Sequence, residues 1–283
     1  MAWYKLTLLP LDPLIDSEGL DSICCELIDA GASGTTIDLP PEVSCFFESA
    51  SPETLEKFKA LAQALGCQVL STEEVLEQNW AASCPELWQP LAAGQLQVFP
   101  VESIHDPREV PPGAIKIIPG LGFGTGHHPT TNMILAELSA WSPPQPVTKV
   151  FDLGTGSGIL AVAAAKLFKA PVEAIDIDPL AVSNAQENIR LNGVEDLVSA
   201  STNAIETVSG SFPLILANLY GEALVQLCAE VTRLAAANCT AMLSGITELV
   251  CDQVITAFCD EHQWVLKREL EQGGWMCLVL ERR

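Results

Sequence analysis

Basic residues are scarce in this sequence. Its 283 residues include 14 lysines and arginines but 36 aspartates and glutamates, so the formal net charge is −22 at pH 7. A field of that sign repels nucleic-acid phosphates and anionic lipid headgroups. The charge therefore argues against direct binding to nucleic acid or to a membrane surface, and it favours a basic protein as partner.

Long hydrophobic runs are also missing. No stretch approaches the roughly 20 consecutive apolar residues of a membrane-spanning helix. The first residues, MAWYKLTLLPLDPLID, place no basic segment before the apolar one, which argues against a secretory signal peptide. We therefore expect a cytoplasmic protein.

The ten cysteines lack the spacings that bind metal. No Cys-x-x-Cys pair occurs, and no cysteine has a histidine at a metal-like spacing. Disulfide scaffolds are typical of much shorter chains. We interpret the cysteines as buried thiols in a reducing compartment, and no metal site is predicted.

Residues 1–70 predict a small α+β domain. Strand-like and helical spacings follow one another in the order βαββαβ, with helices that end at Gly31 and Gly66. That order is typical of a ferredoxin-like fold. Residues 1–95 carry 15 acidic and 3 basic residues. This excess indicates either a solvated face, the simpler interpretation of charge alone, or a docking surface for a basic protein.

The rest of the chain predicts a larger α/β domain. From Gln95 onward, apolar strand-like segments alternate with helical ones, as in a parallel sheet covered by helices. The pattern is weaker before that point. The sequence therefore predicts a substrate-recognition domain at 1–70, a linker at 71–95 and an α/β domain at 96–283.

A glycine-rich turn joins a predicted strand, 147–152, to a predicted helix, 159–168. It reads Asp152-Leu-Gly154-Thr-Gly156-Ser-Gly158. Glycine permits positive φ and lets a ligand lie against bare backbone. A strand, a glycine turn and a helix in this order are typical of a nucleotide site.

The turn departs from two common phosphate-binding patterns. The dinucleotide fingerprint GxGxxG needs a glycine where Ile159 stands, and the Gly-Lys-Ser/Thr of a Walker loop is missing. Asp152 suits an ammonium group better than a pyrophosphate. S-adenosylmethionine carries an ammonium and a carboxylate but no phosphate. We therefore expect it to bind against Asp152, Gly154 and Gly156.

The next predicted strand, 172–175, ends at Asp176. An acid at this strand end accepts hydrogen bonds from both ribose hydroxyls of a nucleoside. Asp178 precedes Pro179 and is better interpreted as the N-cap of the following helix. Together these features favour a class I methyltransferase, an α/β protein with a Rossmann-like seven-stranded sheet.

The glycine-rich loop 119–131 leads into a predicted helix, 132–141. Such a loop can lie over a cofactor, with threonines at the helix start near the cofactor carboxylate. The alternative is an ordinary connector in which Thr130 or Thr131 caps the helix. A metal site at His127 and His128 is disfavoured, because adjacent histidines do not easily face one ion.

A buried strand, 212–218, is predicted to end at Asn218. Ligands bind at the carboxyl ends of parallel strands, so Asn218 is the candidate for contacting a substrate nitrogen. Capping of the next helix, 221–236, is an alternative compatible with that role. Many N-methyltransferases carry Asn/Asp-Pro-Pro-Tyr/Phe here. The absence of those prolines favours an aliphatic amine as acceptor.

These segments together resemble the lysine N-methyltransferase family that acts on large-subunit ribosomal protein eleven. The resemblance covers nearly the whole chain, and its segments are 123–131, 152–161, 176–181, 217–219 and 274–277. It implies cofactor contacts at Thr131, Gly154, Asp176 and Asn218. It also implies an N-terminal domain that captures the ribosomal substrate, and methylation of lysine side chains and an N-terminal amine. His127 stands where the family usually has threonine.

The expected reaction moves a methyl group from a sulfonium to a neutral amine. The sulfonium charge and a desolvated pocket lower the amine pKa, so no dedicated base is needed and Asn218 orients the acceptor. Three alternatives stay open. They are a methyltransferase for another protein or a small molecule, a nicotinamide oxidoreductase, which Ile159 disfavours, and a non-catalytic sensor of S-adenosylmethionine.

Overall fold

The computed structural model describes residues 2–12, 15, 17–32, 34–38, 42–49, 52–75, 88–106, 108–119 and 124–282. The chain divides into two compact units, Met1–Gln78 and Asn79–Arg283. This division falls inside the predicted linker 71–95. Part of that segment is regular structure, because one strand continues through Val75 and another begins at Leu91.

In its described residues, the first unit contains one antiparallel sheet and two helices. Its elements are β1 (Ala2–Pro10), α1 (Ser17–Asp29), β2 (Gly34–Asp38), β3 (Glu42–Ser49), α2 (Pro52–Ala64) and β4 (Cys67–Val75). The sheet order β2-β3-β1-β4 is the expected ferredoxin-like arrangement. Alternate residues of β1, Leu6 and Leu8, are fully buried with Phe47 and Phe58. The alternation in the sequence thus marks the core face.

The described part of the second unit contains two sheets, and the sequence did not predict the first of them, which has three strands. Its elements are β5 (Leu91–Ala93), β6 (Leu96–Pro100), β7 (Ile115–Ile117), α3 (Pro129–Ala140), β8 (Val150–Leu153), α4 (Ile159–Phe168), β9 (Val172–Ile175), α5 (Pro179–Leu191), β10 (Val198–Ser201), β11 (Phe212–Asn218), α6 (Gly221–Leu234), β12 (Ala235–Thr247), α7 (Glu248–Ile255), β13 (Trp264–Gln272) and β14 (Trp275–Arg282). Strand β5 pairs antiparallel to β6, and β6 pairs parallel to β7.

The predicted seven-stranded sheet is present in the order β10-β9-β8-β11-β12-β14-β13. Only β14 runs against the other strands. The four residues of β8 are buried, as are five of the seven in β11, as expected for parallel strands covered on both faces. Chain order reverses direction between β8 and β11. Their carboxyl ends therefore form the switch point at which such sheets bind ligands.

Three predicted elements of the second unit differ from the structure by two or three residues at one end. Strand β8 begins at Val150, three residues later than predicted, and α3 begins at Pro129, three residues earlier. Helix α6 ends at Leu234, because Ala235 already belongs to β12. None of these differences moves a predicted site residue away from the carboxyl edge of the sheet.

The eight cysteines whose side chains the structure describes are all free thiols. Six are buried, namely Cys45, Cys67, Cys228, Cys239, Cys251 and Cys277. Burial raises the pKa of the Cys45 thiol to about 11, so it stays protonated at neutral pH. Within the same described part of the chain, no helix has both the length and the apolar character required to cross a membrane.

Candidate functional site

The turn after β8 requires glycine for two reasons, namely its left-handed backbone and the close approach of Leu219. Gly154, Gly156 and Gly158 have φ values of 72°, 54° and 82°, in the left-handed region that other residues rarely adopt. A Cβ placed on Gly154 would also lie 2.4 Å from Cδ2 of Leu219. The backbone N–H groups of Gly154 and Thr155 donate to the carbonyl of Ile175 at 2.9 and 3.0 Å. These bonds attach the turn to the end of β9.

Asp152 is a fully buried carboxyl group below the turn. Its Oδ2 accepts a hydrogen bond from Thr155 Oγ1 at 2.6 Å, whereas Oδ1 makes no hydrogen bond of normal geometry with any described residue. Burial raises the pKa of Asp152 to about 7, against the opposing effects of the Thr155 hydroxyl and the Ala161 backbone N–H. A buried oxygen without a donor is suited to accept one from a ligand.

Asp176 follows β9 directly and holds the glycine turn from the other side. Its Oδ2 accepts the Gly156 N–H at 2.8 Å, and its Oδ1 accepts the Asp178 N–H at 3.0 Å. Each carboxylate oxygen has a further lone pair, so Asp176 can still accept hydrogen bonds from hydroxyl groups. Asp178 caps α5 by accepting the Leu180 N–H at 2.8 Å, which confirms the predicted cap.

Thr131 and Asn218 lie together although 87 positions separate them. The Asn218 side chain, at the end of β11, donates from Nδ2 to Oγ1 of the buried Thr131 at 3.0 Å. The N-cap of α6 is Tyr220. The alternative that Asn218 caps this helix is therefore wrong, and its side chain belongs to the contact with α3.

The described part of the loop 119–131 lies against the glycine turn. Residues 120–123, and with them part of the predicted glycine pattern, are outside the described residues. The Gly124 carbonyl accepts a hydrogen bond from Ser157 Oγ at 2.6 Å. A Cβ on Gly126 would lie 3.3 Å from Cδ1 of Ile159. The loop and the turn are therefore in direct contact.

His128, and not a threonine, caps α3. Its Nδ1 accepts the Thr130 N–H at 3.4 Å, and its ring meets the edge of Trp275 at a centroid distance of 5.0 Å. The alternative in which Thr130 or Thr131 caps the helix is therefore wrong. His127 instead places Nε2 2.9 Å from the Gln89 carbonyl oxygen. No set of three or more potential metal ligands occurs in the described part of the chain.

Three residues near the turn escaped sequence reasoning. Ser157 and Asn188 are fully buried polar residues, and Ile177, next to Asp176, is 93% exposed. One signal was available for Asn188, because asparagines recur at positions 184, 188 and 192, on one face of α5. An isoleucine directly after a ribose-binding candidate was the corresponding signal for Ile177.

The carboxyl ends of β8, β9 and β11 thus combine several kinds of ligand-binding group. Asp152 and Asp176 offer carboxylate oxygens, Thr131 offers a hydroxyl group, and the turn at Gly154 and Gly156 offers bare backbone. S-adenosylmethionine carries an ammonium, a carboxylate and two ribose hydroxyls, and no phosphate. The residues present therefore fit that molecule, and Oδ1 of Asp152 is a buried acceptor without a hydrogen bond of normal geometry among the described residues.

Comparison with known proteins identifies the family. The sequence pattern of the ribosomal protein L11 methyltransferase (PrmA) family matches residues 15–283. The ribosomal protein L11 methyltransferase of Rhodopseudomonas palustris (strain BisB5) is 36% identical over 252 residues, which covers 85% of this chain and 83% of the relative. The enzyme of the same name from Bacillus cytotoxicus is 28% identical and is covered, like this chain, to 99%.

A solved structure agrees with the sequence comparisons. The crystal structure of ribosomal protein L11 methylase from Lactobacillus delbrueckii subsp. bulgaricus matches with a TM-score of 0.61 and 29% identity. The match covers 69% of this chain and 100% of the other. The chain belongs to the ribosomal protein L11 methyltransferase (PrmA) family.

Proposed function

We propose that this protein transfers methyl groups from S-adenosylmethionine to amines of ribosomal protein L11, both lysine side chains and the N-terminal amine. The observation that carries the proposal is the Asn218–Thr131 hydrogen bond at the switch point. It places a fixed amide beside the glycine turn in a chain of the L11 methyltransferase family. The specific acceptor atoms are part of the proposal.

The methyl donor binds at the carboxyl edge of the sheet, between Thr131, the glycine turn and Asp176. When bound, S-adenosylmethionine supplies a methyl group on a positively charged sulfur. The remaining lone pairs of Asp176 accept hydrogen bonds from the ribose hydroxyls, and the exposed side chain of Ile177 gives the adenine ring an apolar face. Asp152 lies below the turn with an acceptor oxygen for the ammonium group.

Asn218 orients the acceptor amine. In the observed orientation Nδ2 donates to Thr131 Oγ1, which leaves Oδ1 as the acceptor for an amine. An amine that donates a hydrogen to Oδ1 directs its lone pair by the same contact. Presenting a neutral lysine at pH 7 costs roughly 4–5 kcal/mol. Desolvation and the nearby positive sulfur lower that cost, so no separate base is required.

The acceptor approaches past Tyr220 and Leu249. These side chains are 75% and 90% exposed at the starts of α6 and α7. The two helix starts are adjacent, because a Cβ on Gly221 would lie 2.8 Å from Cγ1 of Val250. An apolar surface of this kind suits the methylene stem of a lysine, and the exposed Glu222 and Glu248 beside it suit a basic protein segment.

The N-terminal unit is proposed to recognise the protein substrate. Residues 1–78 carry 14 acidic and 3 basic residues, which attracts a basic ribosomal protein. The predicted limits of this substrate-recognition domain, 1–70, and of its linker, 71–95, belong to the proposal. We place the reaction in the cytoplasm, where the ribosomal protein substrate is made and where thiols stay reduced.

Intact-mass spectrometry of purified ribosomal protein L11 tests the proposal. After incubation with enzyme and S-adenosylmethionine, we expect mass increments of one methylene each, which peptide mapping places on lysines or the N-terminus. L11 whose amines have been acetylated is the matched control and should stay unmodified. An unchanged L11 beside methylation of another ribosomal protein would contradict the substrate, and no transfer to any ribosomal protein would contradict the function.

A further inference from the structure

Two fully buried polar residues join the glycine turn to the loop that precedes α3. They are Ser157, within the turn, and Asn188, on α5. Neither has a part in the proposed contacts with the methyl donor or the acceptor. Their hydrogen bonds reach three separate backbone segments.

Ser157 bonds to the segment before α3. Its Oγ donates to the Gly124 carbonyl at 2.6 Å, and its own carbonyl accepts from Asn188 Nδ2 at 2.9 Å. Ser157 therefore uses both its hydroxyl group and its backbone oxygen in this network.

Asn188 bonds to the residue that follows β7. Its Oδ1 accepts the Ile118 N–H at 2.7 Å, and its Nδ2 lies 3.4 Å from the Ile118 carbonyl. The amide thus pairs with Ile118 on one side and with Ser157 on the other. We call Ser157, Asn188 and their partners Ile118 and Gly124 the Ser157–Asn188 network.

The network acts on backbone geometry. Leaving a buried donor or acceptor unpaired is costly, so a fully paired buried network permits one arrangement of the segments it joins. Its partners are backbone atoms at Ile118, at Gly124 and in the glycine turn. The segment from Gly124 runs directly into α3, which carries Thr131.

We propose that Ser157 and Asn188 are positioning residues for the methyl donor. They hold the Gly124–Thr131 segment and the glycine turn at a fixed separation, so that Thr131 and Gly154 contact the same bound molecule. This inference rests on the proposed role of Thr131 and Gly154 in binding S-adenosylmethionine. Preorganisation of this kind strengthens binding, because the ligand does not have to order the two segments.

Asn192, the C-cap residue of α5 and one helical turn after Asn188, provides a matched control. Its Oδ1 accepts the Lys116 N–H at 3.0 Å and its Nδ2 donates to the Lys116 carbonyl at 2.6 Å. Asn192 bonds to β7, whereas Asn188 bonds to the residue after that strand. Asn192 also accepts from Lys166 Nζ at 3.1 Å and donates to the Asn188 carbonyl at 2.8 Å, but it makes no bond to the glycine turn in the described structure. A purely structural contribution of such an asparagine is therefore measured by Asn192→Ala.

Calorimetric titration with S-adenosylhomocysteine tests the inference on Ser157→Ala, Asn188→Ala and Asn192→Ala. We expect about tenfold weaker binding for Ser157→Ala and at least that for Asn188→Ala. KM for S-adenosylmethionine should rise in both variants, while kcat at saturating donor stays close to that of the wild type. Asn192→Ala should lower the Tm and leave the affinity unchanged.

Two results would overturn the inference. One is wild-type affinity in Ser157→Ala and Asn188→Ala, and the other is an equal loss of affinity in Asn192→Ala. If Asn188→Ala does not fold, Ser157→Ala decides the matter alone, because it removes a single hydroxyl group. A wild-type protein that binds no S-adenosylhomocysteine would overturn the proposed function as well, which separates that failure from failure of the network alone.

Discussion

The side-chain amide of Asn218 donates a hydrogen bond to the hydroxyl group of Thr131 at 3.0 Å. This contact joins the carboxyl end of β11 to the first turn of α3. In this orientation Nδ2 faces Thr131, and Oδ1 is the acceptor left for a substrate amine. The proposed chemistry depends on that orientation more than on the presence of an asparagine as such.

Replacement of Asn218 should separate catalysis from donor binding. We expect Asn218→Ala to lower single-turnover methyl transfer about a hundredfold, because the acceptor amine loses its orientation, with little change in affinity for S-adenosylhomocysteine. Thr131→Val is the partner variant. At saturating donor its effect on single-turnover transfer should not add to that of Asn218→Ala, since both break one bond, whereas its loss of the proposed donor contact should weaken S-adenosylhomocysteine binding. Wild-type turnover in Asn218→Ala would remove this residue from the chemistry.

Two neighbouring acids should have different effects. Asp176→Ala should weaken S-adenosylhomocysteine binding about 10- to 100-fold, because it removes the proposed ribose acceptor and the bond to Gly156. Asp178→Ala removes a helix cap and should cost about 1 kcal/mol of stability without changing that affinity. Calorimetry and thermal unfolding measure the two quantities. Equal affinity losses in both variants would contradict the assignment.

The buried carboxyl of Asp152 should make stability and binding depend on pH. Its pKa is raised to about 7 by burial, whereas an unfolded aspartate has a pKa of about 4. Between these values an unfolded Asp152 binds fewer protons than a folded one, so the contribution of Asp152 to the stability of the ligand-free protein should fall as pH rises from about 4 to about 7.

Binding of S-adenosylhomocysteine, which carries an ammonium group, should show the opposite trend. An ammonium group favours the carboxylate, so affinity for S-adenosylhomocysteine should rise as pH increases through about 7. Asp152→Asn should flatten both dependences, as measured by chemical unfolding and calorimetry at a series of pH values. Retention of both slopes in Asp152→Asn would assign them to other groups.

Two glycines with left-handed backbone allow the cost of backbone strain to be separated from the effect of a steric clash. Gly154 and Gly193 have φ values of 72° and 63°, but only Gly154 would bring a Cβ against Leu219, at 2.4 Å. Both alanine variants should lose about 1–2 kcal/mol of stability from the left-handed backbone. Only Gly154→Ala should also lose donor binding, because Leu219 must move beside Asn218. Unimpaired binding in Gly154→Ala would contradict the proposed contact.

Tyr220 and Leu249, the exposed residues past which the acceptor is proposed to approach, should affect the KM for the protein substrate and not the binding of the cofactor. Tyr220→Ala and Leu249→Ala should raise KM for ribosomal protein L11 and leave S-adenosylhomocysteine affinity unchanged. Leu167→Ala is the control, because this residue is also exposed but lies at the end of α4 away from the site. Steady-state kinetics with L11 as substrate measure the difference. Equal KM values for all three variants would contradict the proposed approach of the acceptor past Tyr220 and Leu249.

The elements around the donor were accessible from sequence because their signals are local. Strands β9 and β11 and helix α4 have the predicted bounds. Each is an apolar run that ends at a glycine or a polar residue, and parallel strands buried on both faces read as continuous apolar runs. The glycine spacing after β8 likewise identified a turn with left-handed backbone, which the structure has at Gly154.

The contacts between distant segments were not accessible in this way. No local pattern reports that Asn218 meets Thr131, or that Asn188 bonds to the backbone of Ser157. His128 was missed as a cap because histidine is not among the residues that usually cap helices. The strands β5 and β7 contain three residues each, too few for an alternating pattern to be recognised.

Calorimetric titration of the purified protein with S-adenosylhomocysteine, the demethylated product, tests the central claim most directly, namely that the turn after β8 and Asp176 bind the adenosyl and ammonium groups that this compound shares with S-adenosylmethionine. The account predicts saturable binding at one site per chain, strongly weakened in Asp176→Ala, and no binding of NADH. Absence of heat with S-adenosylhomocysteine, together with tight binding of NADH, would contradict it.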